Sequence, residues 1–133
     1  FEVLPGAEGW QLSNPPILAM ASLRASLELF NSAGMKAIRA KGKKLSSFMY
    51  ALLENLNNNS IRILTPRNEN ERGCQLSIQI KGMEKKAFEA LTESGVICDW
   101  REPNVIRVAP APLYNTFEEV FTFVEKLNTI ITV

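Results

Sequence analysis

Histidine is absent from this chain of 133 residues. That removes His-based catalytic triads, His general bases and most zinc sites together. Cysteine is scarce: Cys74 and Cys98 are too few for a disulfide framework and are not spaced as metal ligands. Each lies in an apolar, strand-like run, so both are expected as buried free thiols in a reducing, cytoplasmic setting. No apolar run approaches the roughly 20 residues that span a bilayer, and the opening residues carry no signal-peptide pattern. A net charge of +1 creates no broad field to draw in nucleic acid or an anionic membrane. Internal repeats and low-complexity tracts are missing, and "PGAEG" lacks the strand–turn–helix context of a phosphate loop.

What is present suits one packed domain: 46% hydrophobic and 22% charged residues. Because the first residue is Phe1 and not methionine, the chain is expected to be cut from something longer. Residues 1–16 read as an extended lead-in. Asn14 before Pro15 and Pro16 predicts a capped helix start, followed by Met20, Leu23, Leu27 and Phe30 at helical spacing and a stop at Gly34. A second helix places Ile38, Leu45, Met49, Leu52 and Leu56 on one side and ends at "NNNS". "IRIL" reads as a short strand stopped by Pro66. "CQLSIQI" alternates Cys74, Leu76, Ile78 and Ile80 with polar residues, the mark of a strand with one face in the core. A helix using Ala87, Phe88 and Leu91 follows and ends at Gly95; "VICDW" and "VIRVA" read as strands around the turn "REPN". The last helix opens with Thr116 and Glu119 in capping-box spacing and buries Phe117, Val120, Phe121, Val124, Leu127 and Ile131. Short connections between neighbouring strands predict an α+β fold: a small, largely antiparallel sheet with helices on one face.

Most charged groups have an ordinary explanation. Glu118 and Glu119 are consecutive on a helix, so they diverge and serve capping and solvation. Asp99 and Arg101 suggest a surface ion pair. "RAKGKK" reads as a solvated helix face because it lacks interleaved aromatics. Two places ask for more. Arg107 interrupts the apolar "VIRV", and a guanidinium there needs an anionic partner: one of the domain's own acids, or a ligand carboxylate gripped by two parallel hydrogen bonds. Asn14 in "LSNPP" either caps the first helix or belongs to a site near that helix start, where free N–H groups favour anions.

At these two places the sequence resembles the kynureninases, pyridoxal-phosphate-dependent enzymes of tryptophan breakdown. "GWQLSNPPI", "ERGCQLSI" and "IRVAPAPLYNTFEEV" are similar to that family's characteristic segments, in order and spacing, over essentially the whole chain. The resemblance implies a C-terminal small domain of the type I pyridoxal-phosphate fold (17–133), preceded by a lead-in from the large domain (1–16). It implies a homodimeric, cytoplasmic parent that hydrolyses L-kynurenine, or its 3-hydroxy form, to the corresponding anthranilate and L-alanine. Arg107 matches the arginine that binds the substrate α-carboxylate, its partner then being supplied by the substrate. Asn14 matches an asparagine near cofactor and substrate, and Ser13 a residue associated with substrate selection. The Schiff-base lysine and the acid facing the pyridine nitrogen belong to the family's large domain, outside this chain. No catalytic residue is therefore assigned here, and the chain alone is expected neither to hold pyridoxal phosphate nor to turn over kynurenine. Two other readings stand beside this one: a stand-alone α+β module binding an amino acid through Arg107, and the small domain of a sister family such as an aminotransferase or cysteine desulfurase.

Overall fold

Period-two spacing in "LSIQI" sends Leu76, Ile78 and Ile80 to one face, where all three are buried, and leaves Ser77 and Gln79 half-buried on the other. The structure is a computed structural model that describes residues 2–132, and the chain divides into two units, Phe1–Met35 and Lys36–Val133. In chain order the elements are a short 3-10 turn (Ala7–Trp10), α1 (Ile17–Ala33), α2 (Met35–Asn55), β1 (Ile61–Ile63), β2 (Leu76–Ile80), α3 (Glu84–Glu93), β3 (Asp99–Arg101), β4 (Val105–Val108) and α4 (Phe117–Ile131). The expected succession of helices and strands is the observed one.

In the second unit the strands form one sheet in the order β1-β2-β4-β3, with every pairing antiparallel. Leu76, Ile78, Ile80 and Ile106 join Leu45, Met49 and Leu53 of α2, Ala87 and Leu91 of α3, and Val120, Phe123, Val124 and Leu127 of α4 in one core. The helices thus cover one sheet face, as the α+β reading requires. Each such Leu or Ile contributes about 1.5–3 kcal/mol through burial. The remaining face carries Ser77, Gln79, Arg62, Asp99 and Arg107, at positions alternating with the core residues.

Several details differ from the sequence reading. "VICDW" becomes a strand only at Asp99. Phe117 and Phe121 remain exposed while Phe123 is buried, so the covered stripe of α4 lies toward the other flank of its apolar arc. Cys74 and Cys98 are free but half-buried, and burial raises the Cys98 thiol pKa, with Asp99 adding to it. Arg72, which pattern reading passed over, is buried: it donates to the carbonyls of Pro66 (2.8 Å) and Arg67 and to Ser47 Oγ (3.2 Å). Its guanidinium also lies 4.8 Å from the Tyr50 ring centre, so this one side chain pins the loop between β1 and β2 onto α2.

In the first unit, α1 starts at Ile17 with Pro16 in the cap position and no side-chain cap. Asn14 does not cap it: with two prolines between Asn14 and Ile17, its side chain lies too far upstream for the first free amides. Gly34 ends α1 as expected, with φ 76° and its N–H donating to the Phe30 carbonyl. No residue of α1 is buried.

Candidate functional site

Arg107 sits in β4 between the β2 and β3 strands, opposite Ser77 on one side and Asp99 on the other. Directly opposed residues in an antiparallel pair have Cβ atoms about 5 Å apart, which brings the Asp99 carboxylate to the guanidinium. Arg107 Nε donates to Asp99 Oδ2 at 2.6 Å, and Nη2 donates to the same oxygen. Arg101, two residues along β3, donates its Nε to that oxygen at 2.9 Å. The residues alone left Arg107 either one of the domain's own acids or a ligand carboxylate, the resemblance implying the second; an internal acid is present, because the β3–β4 register places Asp99 across from it. The expected Asp99–Arg101 surface pair is also observed, with Asp99 shared between two cations.

This arrangement sets the electrostatics. The Arg107 guanidinium, with Arg101 beside it, holds the Asp99 carboxyl below the usual carboxylate range. The Arg107 side chain keeps 33% of its surface exposed, so it is reachable from the sheet's open face. Among the described residues, no hydrogen bond uses its Nη1.

The chain after Arg107 is fixed by local geometry. Pro110 is buried, and Pro112 packs so close to α2 that a Cβ on Gly42 would lie 3.1 Å from its ring. Asn115 Oδ1 accepts from Ala111 N at 2.7 Å, and the Tyr114 and Asn115 amides both donate to the Ala111 carbonyl. The capping box then closes the turn: Thr116 N donates to Glu119 Oε2 (2.7 Å) and Glu119 N to Thr116 Oγ1 (3.2 Å). The Thr116 amide and the Asn115 side chain hold the Glu119 carboxyl below its ordinary pKa. "APAPLYNT" therefore joins β4 to α4 through proline packing, Asn115 and the box, with little freedom left.

A cleft of about 740 Å³ opens on the core side of the β4 exit, lined by Ile97, Val108, Pro110, Tyr114, Glu119 and Lys126. Arg107 does not line it; it projects from the opposite sheet face. Lys126 donates to the Ser94 carbonyl at 2.6 Å, and Glu118 with Glu119 makes this cleft a poor host for a phosphate. This cleft's residues thus do not fit pyridoxal phosphate: its one lysine lies beside carboxylates. Among the described residues, no cluster of His, Cys, Asp and Glu is placed to hold a metal, and no helix is long and apolar enough to cross a membrane.

Ser13 and Asn14 belong to the first unit and Arg107 to the second. Both are exposed; the Ser13 carbonyl accepts from Gln11 Nε2 at 3.0 Å, and the Asn14 side chain makes no hydrogen bond among the described residues. Asp99 is the residue that sequence reading undervalued. Its signal was present as an acid two positions before Arg101, but its cross-strand partner depends on register.

Solved structures place this architecture in a class. A cysteine desulfurase from Thermococcus onnurineus NA1 matches 99% of the chain with a TM-score of 0.85 at 18% identity, the match covering 35% of that protein. A NifS-like protein matches 98% with a TM-score of 0.75 at 20% identity, covering 38% of its length. The fold is the α+β small domain of the type I pyridoxal-phosphate-dependent enzymes. Within that class, residues 38–127 match the kynureninase C-terminal domain, and the chain belongs to that family. It is 53% identical over 96% of its length to a kynureninase of Myxococcus xanthus and 52% identical over 96% to one of Xanthomonas euvesicatoria. It spans about 30% of the length of these curated relatives. Sister families share the fold at about 20% identity, whereas kynureninases share half the residues; neither the sister-family reading nor the stand-alone module is favoured.

Proposed function

We propose that this chain acts as the C-terminal small domain of a pyridoxal-phosphate-dependent kynureninase, a hydrolase that converts L-kynurenine or its 3-hydroxy form to the matching anthranilate and L-alanine. Residues 1–16 would lead in from the large domain and 17–133 form the small one, in a cytoplasmic homodimer. The observation that carries the reading is 53% identity to a kynureninase across 96% of the chain. Bound to a large domain, pyridoxal phosphate would supply the electron sink that makes the side-chain ketone susceptible to water.

The work of this chain is then binding and orientation. Arg107 anchors the substrate α-carboxylate from a strand whose exit is locked by Pro110 and Pro112. Ser13 and Asn14 contribute to the substrate site, and Asn14 also reaches the cofactor. The support for Arg107 is its half-exposed position, a guanidinium edge not used by Asp99, and its place in "IRVAPAPLYN".

The test compares the full-length protein, its Arg107→Lys form and this chain alone in a kynurenine-hydrolysis assay with added pyridoxal phosphate. The full-length protein should turn over substrate and the chain alone should not. Arg107→Lys should raise KM about ten- to a hundredfold, since one ammonium cannot reproduce a bidentate fork, with cofactor absorbance kept. Unchanged KM and kcat in that variant would remove Arg107 from the role.

A further inference from the structure

We propose that Asp99 is a positioning residue for Arg107, fixing the guanidinium so that a ligand carboxylate meets its end-on edge, formed by Nη1 and Nη2. This rests on the reading of Arg107 as the carboxylate anchor. A guanidinium has a side edge, Nε with Nη2, and an end-on edge, Nη1 with Nη2, and either can hold a carboxylate by two bonds. Asp99 takes the side edge: Nε at 2.6 Å and Nη2 converge on Oδ2. The end-on edge carries no hydrogen bond through Nη1 among the described residues, and the residue opposite Arg107 on β2 is the small Ser77.

Asp99 is built to stay when a ligand arrives. Its position is set by backbone pairing, Asp99 with Arg107 and Arg101 with Val105, so no long side chain has to search for it. Arg101 adds a second cation on the same oxygen at 2.9 Å, which retains Asp99 while Arg107 turns its other edge outward. The acid also separates two guanidiniums on adjacent strands. Without it, Arg101 and Arg107 would repel and the Arg107 side chain, a third exposed, would sample many rotamers. A preset orientation suits a substrate anchor, because the guanidinium is already ordered before the carboxylate arrives and that cost does not weaken binding.

The experiment uses the full-length enzyme with Asp99→Ala, Asp99→Asn and Arg107→Ala. KM and kcat are measured for L-kynurenine, and inhibition constants for its decarboxylated analogue. Asp99→Ala should raise KM about tenfold, the size of one charge-assisted hydrogen bond, with kcat within about twofold. Asp99→Asn keeps an oxygen acceptor but not the charge between Arg101 and Arg107, and should recover only part of the loss. Binding of the decarboxylated analogue should not change in either, a selectivity that a merely structural defect would not produce. If Arg107→Ala raises KM but Asp99→Ala leaves it unchanged or lowers it, Asp99 is a competitor for the cation and this inference fails alone. If Arg107→Ala itself leaves KM unchanged, the carboxylate-anchor reading fails and this inference with it. Equal weakening of the analogue and of kynurenine by Asp99→Ala would also overturn it.

Discussion

Along α4, Val120, Phe123, Val124 and Leu127 recur at helical spacing and are all buried; along α1, Met20, Leu23 and Leu27 recur at the same spacing and each stays more than half exposed. Both helices follow a turn rich in proline, "SNPP" before α1 and "APAPLYN" before α4. Only the second is closed by a side-chain cap. The difference teaches what an apolar period can and cannot report. Spacing of three and four states that a helix has a face needing cover. It does not state that the cover lies in the same chain. In this protein, α4 finds it in α2, α3 and the sheet, while α1 finds none within its own unit.

The sharpest way to break that comparison is to truncate one leucine from each helix. Leu127 is fully buried in the core, so Leu127→Ala should cost about 2–5 kcal/mol through lost burial and the cavity left behind. Leu23 is 59% exposed, so Leu23→Ala should shift the stability of this chain by no more than about 0.5 kcal/mol. Urea unfolding of the two variants, followed by circular dichroism, measures both. A large loss for Leu23→Ala would mean that α1 packs where the present structure leaves it open.

Local pattern carried much of the fold into the sequence. The alternation of Leu76, Ile78 and Ile80 needs no knowledge of the partner strand, and Gly34 and Gly95 both adopt the positive φ that their places as helix stops imply. The capping box at Thr116 and Glu119 is legible because both halves lie within four residues. What stayed hidden depends on distant parts of the chain. Phe121 and Phe123 fit the helical period of α4 equally well, and only the neighbouring elements decide which flank is covered. Arg72 lies outside any apolar period, and only the fold brings Ser47 and Tyr50 beneath it. At the candidate site, Arg107 stood out because a charge in an apolar strand is costly, but Asp99 became its partner only through the β3–β4 register. Asn14 shows the reverse error: a good capping residue type was placed two residues too early to cap.

The two helix starts give a second, smaller contrast. Thr116→Ala removes the side-chain acceptor for Glu119 N and half of the box, and should cost about 1 kcal/mol. Asn14→Ala removes no cap and should leave the thermal midpoint of this chain unchanged. Differential scanning calorimetry on both variants separates the cases. Equal losses would place Asn14 at the helix start after all.

Acid should act on the second unit through three carboxyls, all with pKa values pulled down by their partners. Asp99 is lowered by Arg107 first and then Arg101, Glu69 by Lys43 and Ser47, and Glu119 by the Thr116 amide and Asn115. A carboxyl with a lowered folded-state pKa binds its proton more readily when unfolded. Its contribution is therefore complete above the unfolded value and disappears as pH falls through the folded one. The loss should fall below about pH 4, where ordinary carboxyls are already about half protonated. All three groups are solvent-exposed, so screening keeps each contribution small and added salt should weaken the two that rest on ion pairs, Asp99 and Glu69, more than Glu119, whose first partner is a backbone amide. Urea midpoints measured from pH 6 down to pH 2.5 should decline over this range for the parent chain. Glu119→Gln should start lower at pH 6 and decline less, because one titrating group has been removed. Identical acid slopes in the two proteins would show that the α4 box does not contribute to the pH dependence.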